Sequence, residues 1–213
     1  MGYNTVIFDM DGTILDTLED LRASANYILC REGMAPITLE QTRRYVGNGA
    51  RVLWEQILGP DHPDLDRLLA DFKLWYAAHN QIRTGPYAGI LELMEALRQR
   101  GITMAVVSNK PHESVLALSR QFFGDYMALS MGEQAGISRK PAPDMVWSVM
   151  EQLGRQKDEC VYVGDSEVDF ATAGNAGLDC VSVSWGFRDR ELLEQLGPKA
   201  IIDSPMELLE HLD

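Results

Sequence analysis

The chain is short of positive charge. Across 213 residues, 19 Lys and Arg stand against 32 Asp and Glu, a formal net charge of −13 with the four His neutral. Such an acidic surface is repelled by nucleic acid and by anionic membranes, so neither is expected as a partner. Cysteine is also scarce. Cys30, Cys160 and Cys180 have no metal-ligand spacing. An odd count with no recognisable secretory leader suits a reducing cytoplasm. Cys160 and Cys180 abut apolar residues and read as buried thiols. No apolar run approaches the length of a membrane span, and low-complexity tracts and internal repeats are missing. A hydrophobic content of 46% is enough for a globular core with a sizeable insertion.

What is present is chemistry at the ends of apolar runs. Val6-Ile7-Phe8 reads as a strand that ends in Asp9-Met10-Asp11-Gly12-Thr13. Two carboxylates two residues apart face opposite ways on a continuing strand. Gly12 lets the chain turn, so both can converge on one cleft at the sheet edge, where open α/β sheets bind ligands. A second run, Ile102 to Val107, closes in Ser108-Asn109-Lys110-Pro111, whose hydroxyl and N–H groups suit phosphoryl oxygens. Lys140-Pro141-Ala142-Pro143 offers a compact positive charge. A further strand-like run ends in Gly164-Asp165-Ser166-Glu167-Val168-Asp169. A helical turn there brings Asp165 and Asp169 together at i and i+4, as hard oxygen ligands for Mg²⁺.

Four such segments in this order resemble the haloacid dehalogenase superfamily, over essentially the whole chain. The resemblance implies that Asp9 is the nucleophile and forms an aspartyl phosphate. Asp11 is then the general acid, and afterwards the base for the hydrolytic water. It implies Mg²⁺ held by the Asp9 carboxylate, the Asp11 carbonyl and Asp165, with Asp169 a ligand or a partner of one. Ser108 and Lys140 would bind the transferring oxygens, helped by Thr13 and Asn109. Asp11 argues for phosphate over halide substrates, because dehalogenase members lack an aspartate at that position. Ile14 to Arg22 has no histidine, unlike the β-phosphoglucomutase-like members. No lysine precedes Lys73, which leaves no Schiff-base lysine of the phosphonatase kind.

Organisation follows from motif positions. Between the first motif and Ile102 the pattern is mostly helical. Asp16-Thr17-Leu18-Glu19-Asp20 reads as a cap with acidic first-turn residues, and Leu21, Ala25, Ile28 and Leu29 recur at helical spacing. Thr38 to Tyr45, Ala50 to Leu58 and Leu65 to Ala78 read as further helices, with Arg83-Thr84-Gly85-Pro86 as the return hinge. Residues 15–82 are therefore expected to be a helical cap inserted into a core of residues 1–14 and 83–213. A core helix spans Pro86 to Arg100, and strands lie near Val161, Val181 and Ile201. Alternation of strands and helices implies an α/β fold, a Rossmann-like three-layer α/β/α core with a parallel sheet.

Within the superfamily the chain looks like the phosphoglycolate phosphatase branch. Gly47-Asn48-Gly49, Ser108-Asn109-Lys110-Pro111, Lys140-Pro141-x-Pro143 and Trp185-Gly186-Phe187-Arg188 have that look. They are shared with pyrophosphatase-like and sugar-phosphate phosphatase members. In the cap, Asn48 and Arg51 either meet a substrate carboxylate or form a plain helix start with a solvated arginine. Lys110 either lines the pocket or is solvated. The expected function is a Mg²⁺-dependent phosphomonoesterase on a small phosphorylated acid, as monomer or homodimer. A non-catalytic binding protein on the same fold is the reading from another class.

Overall fold

A computed structural model describes residues 2–213. The chain divides into two compact units. One comprises the described residues up to Leu15 together with Pro86–Asp213, and the other is Asp16–Gly85.

The first unit is built on a six-stranded sheet: β1 (Thr5–Phe8), β4 (Thr103–Pro111), β5 (Leu129–Glu133), β6 (Cys160–Gly164), β7 (Asp179–Val183) and β8 (Ala200–Ile202). The spatial order is β5-β4-β1-β6-β7-β8, and every pairing is parallel. Two short strands, β2 (Leu15–Asp16) and β3 (Gly85–Pro86), form a separate pair.

Parallel strands are covered on both faces, so their residues are largely apolar and alternate between two cores. Val6, Phe8, Val106, Val161 and Val163 face one core with helix α5 (Ile90–Gln99) and α6 (His112–Phe122). Ile7, Ala105, Val107 and Tyr162 face the other, with α7 (Asp144–Leu153) and α8 (Glu167–Ala176). Ile90, Leu93, Met94 and Leu97 make the buried stripe of α5 at helical spacing. A last helix, α9 (Arg190–Leu196), precedes β8. The three-layer parallel α/β architecture is the one read from the sequence. The edge strand β5 is an addition to that reading.

Strand order decides where the chemistry collects. The chain leaves β1 toward β4 and leaves β6 toward β7, so β1 and β6 flank the switch point of the sheet. A crevice opens there at the carboxyl ends of the strands.

The second unit is helical: α1 (Leu18–Arg31), α2 (Leu39–Tyr45), α3 (Gly49–Leu58) and α4 (Leu65–His79). Its core joins Leu21, Ala25, Ile28 and Leu29 of α1 to Trp54 of α3 and to Leu68, Phe72 and Tyr76 of α4. Trp54 meets Phe72 edge-on at 5.8 Å between ring centroids. Thr38 caps α2 through a reciprocal box with Gln41. At the start of α1, Glu19 and Asp20 lie in the first turn as expected. Thr17 holds the N-cap position without a side-chain capping bond, and Asp16 Oδ1 accepts from the Leu18 N–H at 3.3 Å. Asp20 does more than face the helix dipole. It accepts from the N–H groups of Ile82, Arg83 and Thr84 and from the Thr84 hydroxyl. Among the described residues no helix is long and apolar enough to cross a membrane.

Candidate active site

Register brings the motifs to one level. Phe8 pairs with Val106 on one side and with Val163 on the other. One residue further on, Asp9 lies beside Val107 and Gly164, and its N–H donates to the Val163 carbonyl at 2.8 Å. Ser108 and Asp165 come next along their strands. The four segments separated in sequence thus meet at the carboxyl ends of β1, β4 and β6.

Asp9, Lys140, Asp165 and Asp169 are all buried. Lys140 Nζ lies 2.8 Å from Asp9 Oδ1 and 2.8 Å from Asp169 Oδ1. The Lys140 ammonium is the cation that meets Asp9 Oδ1, and no other donor is aligned on that oxygen. Single carboxylate oxygens of Asp9, Asp165 and Asp169 lie within 4.8 Å of one another.

Three carboxylates so close repel each other, and burial removes the water that would screen them. Burial is the main cause that raises Asp9 to about 7. Lys140 opposes the rise, while Asp169 and Asp11 add to it. Burial, then Asp169 and Asp9, hold Asp165 well above the usual carboxylate range. Burial works against the Lys140 ammonium, but Asp169, Asp9 and Tyr162 outweigh it and hold its pKa well above the ordinary lysine value.

The donor set is all oxygen, anionic and short of donors at Asp9, and that fits a hard divalent cation such as Mg²⁺. Asp169 fits such an ion less directly. Its Oδ1 accepts from Lys140 Nζ and Tyr162 Oη. Its Oδ2 accepts from the N–H groups of Asp165 and Ser166 and from Ser166 Oγ. Ser166 and Asp169 also form the capping box of α8, so one carboxylate starts the helix and orders the site.

Asp165 is held from two sides. Thr13 Oγ1 donates to its Oδ1 at 3.1 Å, and the Phe187 N–H donates to its Oδ2 at 2.7 Å. Trp185 Nε1 donates to the Thr13 carbonyl at 3.0 Å. The Trp185-Gly186-Phe187-Arg188 segment therefore clamps the first and fourth motifs. Arg188 also forks onto Glu167, with Nε 2.7 Å from Oε2. No side chain fits at two glycines here. A Cβ on Gly186 would lie 2.2 Å from Asp165 Cβ, and one on Gly12, at φ +83°, would lie 2.5 Å from Asp165 Oδ2.

Other expected site residues fall as follows. Asp11 is half-buried, and its carboxylate pairs with Lys110 at 3.0 Å rather than joining the cluster. Lys110 is buried, not solvated. Asn109 Nδ2 donates to the Lys140 carbonyl at 3.1 Å, tying the second motif to the third. Ser108 Oγ accepts from the Lys110 N–H at 3.3 Å, which leaves its hydroxyl hydrogen to donate elsewhere. Asn48 and Arg51 lie in the helical unit. Asn48 is the N-cap of α3 but makes no capping bond through its side chain, and the exposed Arg51 pairs with Asp66 and Glu55.

Tyr162 is the residue that sequence reasoning missed. Its hydroxyl lies 3.1 Å from Lys140 Nζ and 3.3 Å from both Asp169 Oδ1 and the Val107 carbonyl. A tyrosine among valines on a buried strand is a signal in itself, because its hydroxyl must find partners.

Comparison with known proteins adds to this geometry. Residues 6–183 match the family model described as haloacid dehalogenase-like hydrolase. A phosphoglycolate phosphatase of Pseudomonas putida is 34% identical over 212 residues, covering 96% of this chain and 78% of that protein. One of Agrobacterium fabrum is 34% identical over 209 residues, covering 92% and 87%. A crystal structure from Lactobacillus delbrueckii subsp. bulgaricus, provisionally named a phosphoglycolate phosphatase, superposes with a TM-score of 0.92 at 39% identity, covering 100% of this chain and 99% of that one.

Proposed function

The chain belongs to the haloacid dehalogenase-like hydrolases, and on that footing we propose that it is a Mg²⁺-dependent phosphomonoester hydrolase that works through an aspartyl phosphate, with 2-phosphoglycolate as its substrate. The observation that carries this reading is Asp9, a buried carboxylate at a strand end that sits 2.8 Å from Lys140 and shares a cluster with Asp165 and Asp169.

The Asp9 carboxylate attacks phosphorus in line with the leaving oxygen. A bond from Asp9 oxygen to phosphorus forms as the bond from phosphorus to the alcohol oxygen breaks. Asp11 gives its proton to the departing alkoxide. It then takes a proton from the water that attacks the phosphoenzyme, which restores Asp9 and releases inorganic phosphate. Lys140 and the Ser108 hydroxyl donate to the transferring oxygens. Asn109 serves by holding the Lys140 loop, and Thr13 by holding Asp165. Mg²⁺, bound by the Asp9 and Asp165 carboxylates and the Asp11 carbonyl, would supply positive charge against the phosphate dianion. Asp169, its oxygens engaged with Lys140, Ser166 and Tyr162, orients Lys140 and the Asp165 loop.

The substrate assignment is supported by curated relatives bearing the phosphoglycolate phosphatase name at 34% identity. The helical unit is assigned the role of a cap domain, and the three free cysteines support a cytoplasmic compartment. Release of phosphate from a panel of esters, with Mg²⁺ and with EDTA, tests the reading. The expected result is turnover abolished by EDTA, with 2-phosphoglycolate preferred over sugar phosphates and pyrophosphate. Mg²⁺-dependent turnover of a different ester would move the substrate alone. Failure to hydrolyse any ester would overturn the function.

A further inference from the structure

Phosphoryl transfer accounts for one buried lysine, and the described residues include two. Among the described residues Lys110 and Lys140 are the buried cationic side chains. Lys140 faces Asp9 and Asp169, where phosphorus would react. Lys110 has no place in that chemistry. Its side chain is 3% exposed, and its Nζ lies 3.0 Å from Asp11 Oδ1.

A desolvated ammonium is held only where an anion answers it, and leaving it unpaired is strongly destabilising. Its position is also built. The Lys110 N–H is anchored on Ser108 Oγ. The β4–β5 register shifts between Val107 and Pro111. Strand β5 approaches so closely that a Cβ on Gly132 would lie 2.5 Å from the Lys110 carbonyl oxygen. The lysine is thus already ordered and dry before any ligand arrives, a state in which ion pairing costs little further entropy.

In the proposed reaction Asp11 faces the leaving oxygen, so its counter-ion stands on the leaving-group side of the site. We infer that Lys110 reads a carboxylate borne by the carbon that carries the leaving oxygen, and so selects small phospho-acids over phosphates of neutral alcohols. This rests on the hydrolase reading above and names the feature of the substrate that the site selects. The charge balance supports it. Asp9, Asp165 and Asp169 already crowd the site, and one more carboxylate would be repelled unless a cation met it. An ammonium has three donors, so Lys110 can hold Asp11 and a substrate carboxylate together. A neutral alcohol needs no such group.

The test compares two unreactive phosphonates, 3-phosphonopropionate and propylphosphonate, which differ in the terminal carboxylate. Their binding to the full chain in Mg²⁺ is measured by calorimetry for the wild type, Lys110→Met, Lys110→Gln and Lys110→Arg. The wild type is expected to favour the carboxylated ligand by roughly 100-fold, the scale of a buried charge pair. Lys110→Met and Lys110→Gln should remove most of that preference, and Lys110→Arg should keep part of it. In turnover, the loss should appear in KM for 2-phosphoglycolate and far less in KM for 2-hydroxyethyl phosphate. The inference is overturned if the wild type does not discriminate, or if Lys110→Met weakens both ligands alike, which would make Lys110 a positioning residue for Asp11. If Lys110→Met does not fold, the wild-type preference and the Gln and Arg variants decide. Failure of the hydrolase reading looks different, since no ester is then turned over while the binding difference is still measured.

Discussion

Two buried carboxylates of this chain have opposite surroundings. Asp20, in the helical unit, is 2% exposed, and Asp9, at the end of β1, is 7% exposed. Asp20 is surrounded by donors: the N–H groups of Ile82, Arg83 and Thr84 and the Thr84 hydroxyl all point at it. Asp9 has one ammonium at 2.8 Å, two more carboxylates close by, and no other donor on the oxygen that faces the ammonium. Burial alone therefore does not mark a functional carboxylate. The balance of donors does. A satisfied carboxylate holds chain segments together, while an under-satisfied one waits for a cation or an electrophile.

The largest effect expected from this contrast is on activity. Asp9→Asn should lower turnover by at least about 10⁴-fold, the scale seen when a nucleophile is removed. Its thermal midpoint should stay near that of the wild type or rise, because a repelled buried charge is gone. Phosphate release and a melting curve check both halves, and a large loss of stability would break the comparison.

Asp20→Ala should do the reverse. It strands several buried donors at once, so it should cost about 3 kcal/mol in denaturant unfolding. Once the protein is folded, the chemical step on a saturating substrate should change little. A loss of stability under about 1 kcal/mol would show that water satisfies those donors equally well. Gly186→Ala sharpens the other side. Its Cβ would fall on Asp165, so Mg²⁺ affinity read from activity titrations should weaken, and Gly186→Ser should weaken it further.

The smallest effect is expected at the surface. Arg67 pairs with Glu32, Asp64 and Asp71 in the helical unit, all with substantial exposure. Water screens such pairs and holding long side chains in place costs entropy. Arg67→Ala should leave the melting midpoint within experimental error. A clear shift would mean that exposed charge networks matter here as much as buried ones.

Much of the candidate site was legible because its carboxylates, hydroxyl and lysine sit on short segments of fixed type. Asp9-Met10-Asp11-Gly12 follows an apolar run, and so do Ser108-Asn109 and Gly164-Asp165. Apolar runs of that length, spaced by helical patterns, are themselves the record of a parallel sheet. Other features left no such record. Strand β5 is Leu-Ser-Met-Gly-Glu, too short and too mixed to declare itself, and its glycine reflects contact with β4 rather than a turn. Tyr162 showed only that a buried hydroxyl needs a partner, and the fold decided that the partner is Lys140. Asp20 read as a helix-start acid until the chain returned past it more than sixty residues later.

The sequence by itself determined the class of fold, the order of the motifs and the kinds of groups that gather at the candidate site. Those depend on local pattern: apolar periodicity, a glycine after two carboxylates, a second aspartate four residues after Gly-Asp. Tertiary structure alone decided which charges are buried together and which partner each one keeps. Lys140 meets Asp9 and Asp169, Lys110 meets Asp11, and Arg51 meets Asp66 and Glu55. The reason is physical. The worth of a charge is set by the water removed around it and by the groups the fold brings within a few ångströms, and neither is written in the spacing of residues along the chain.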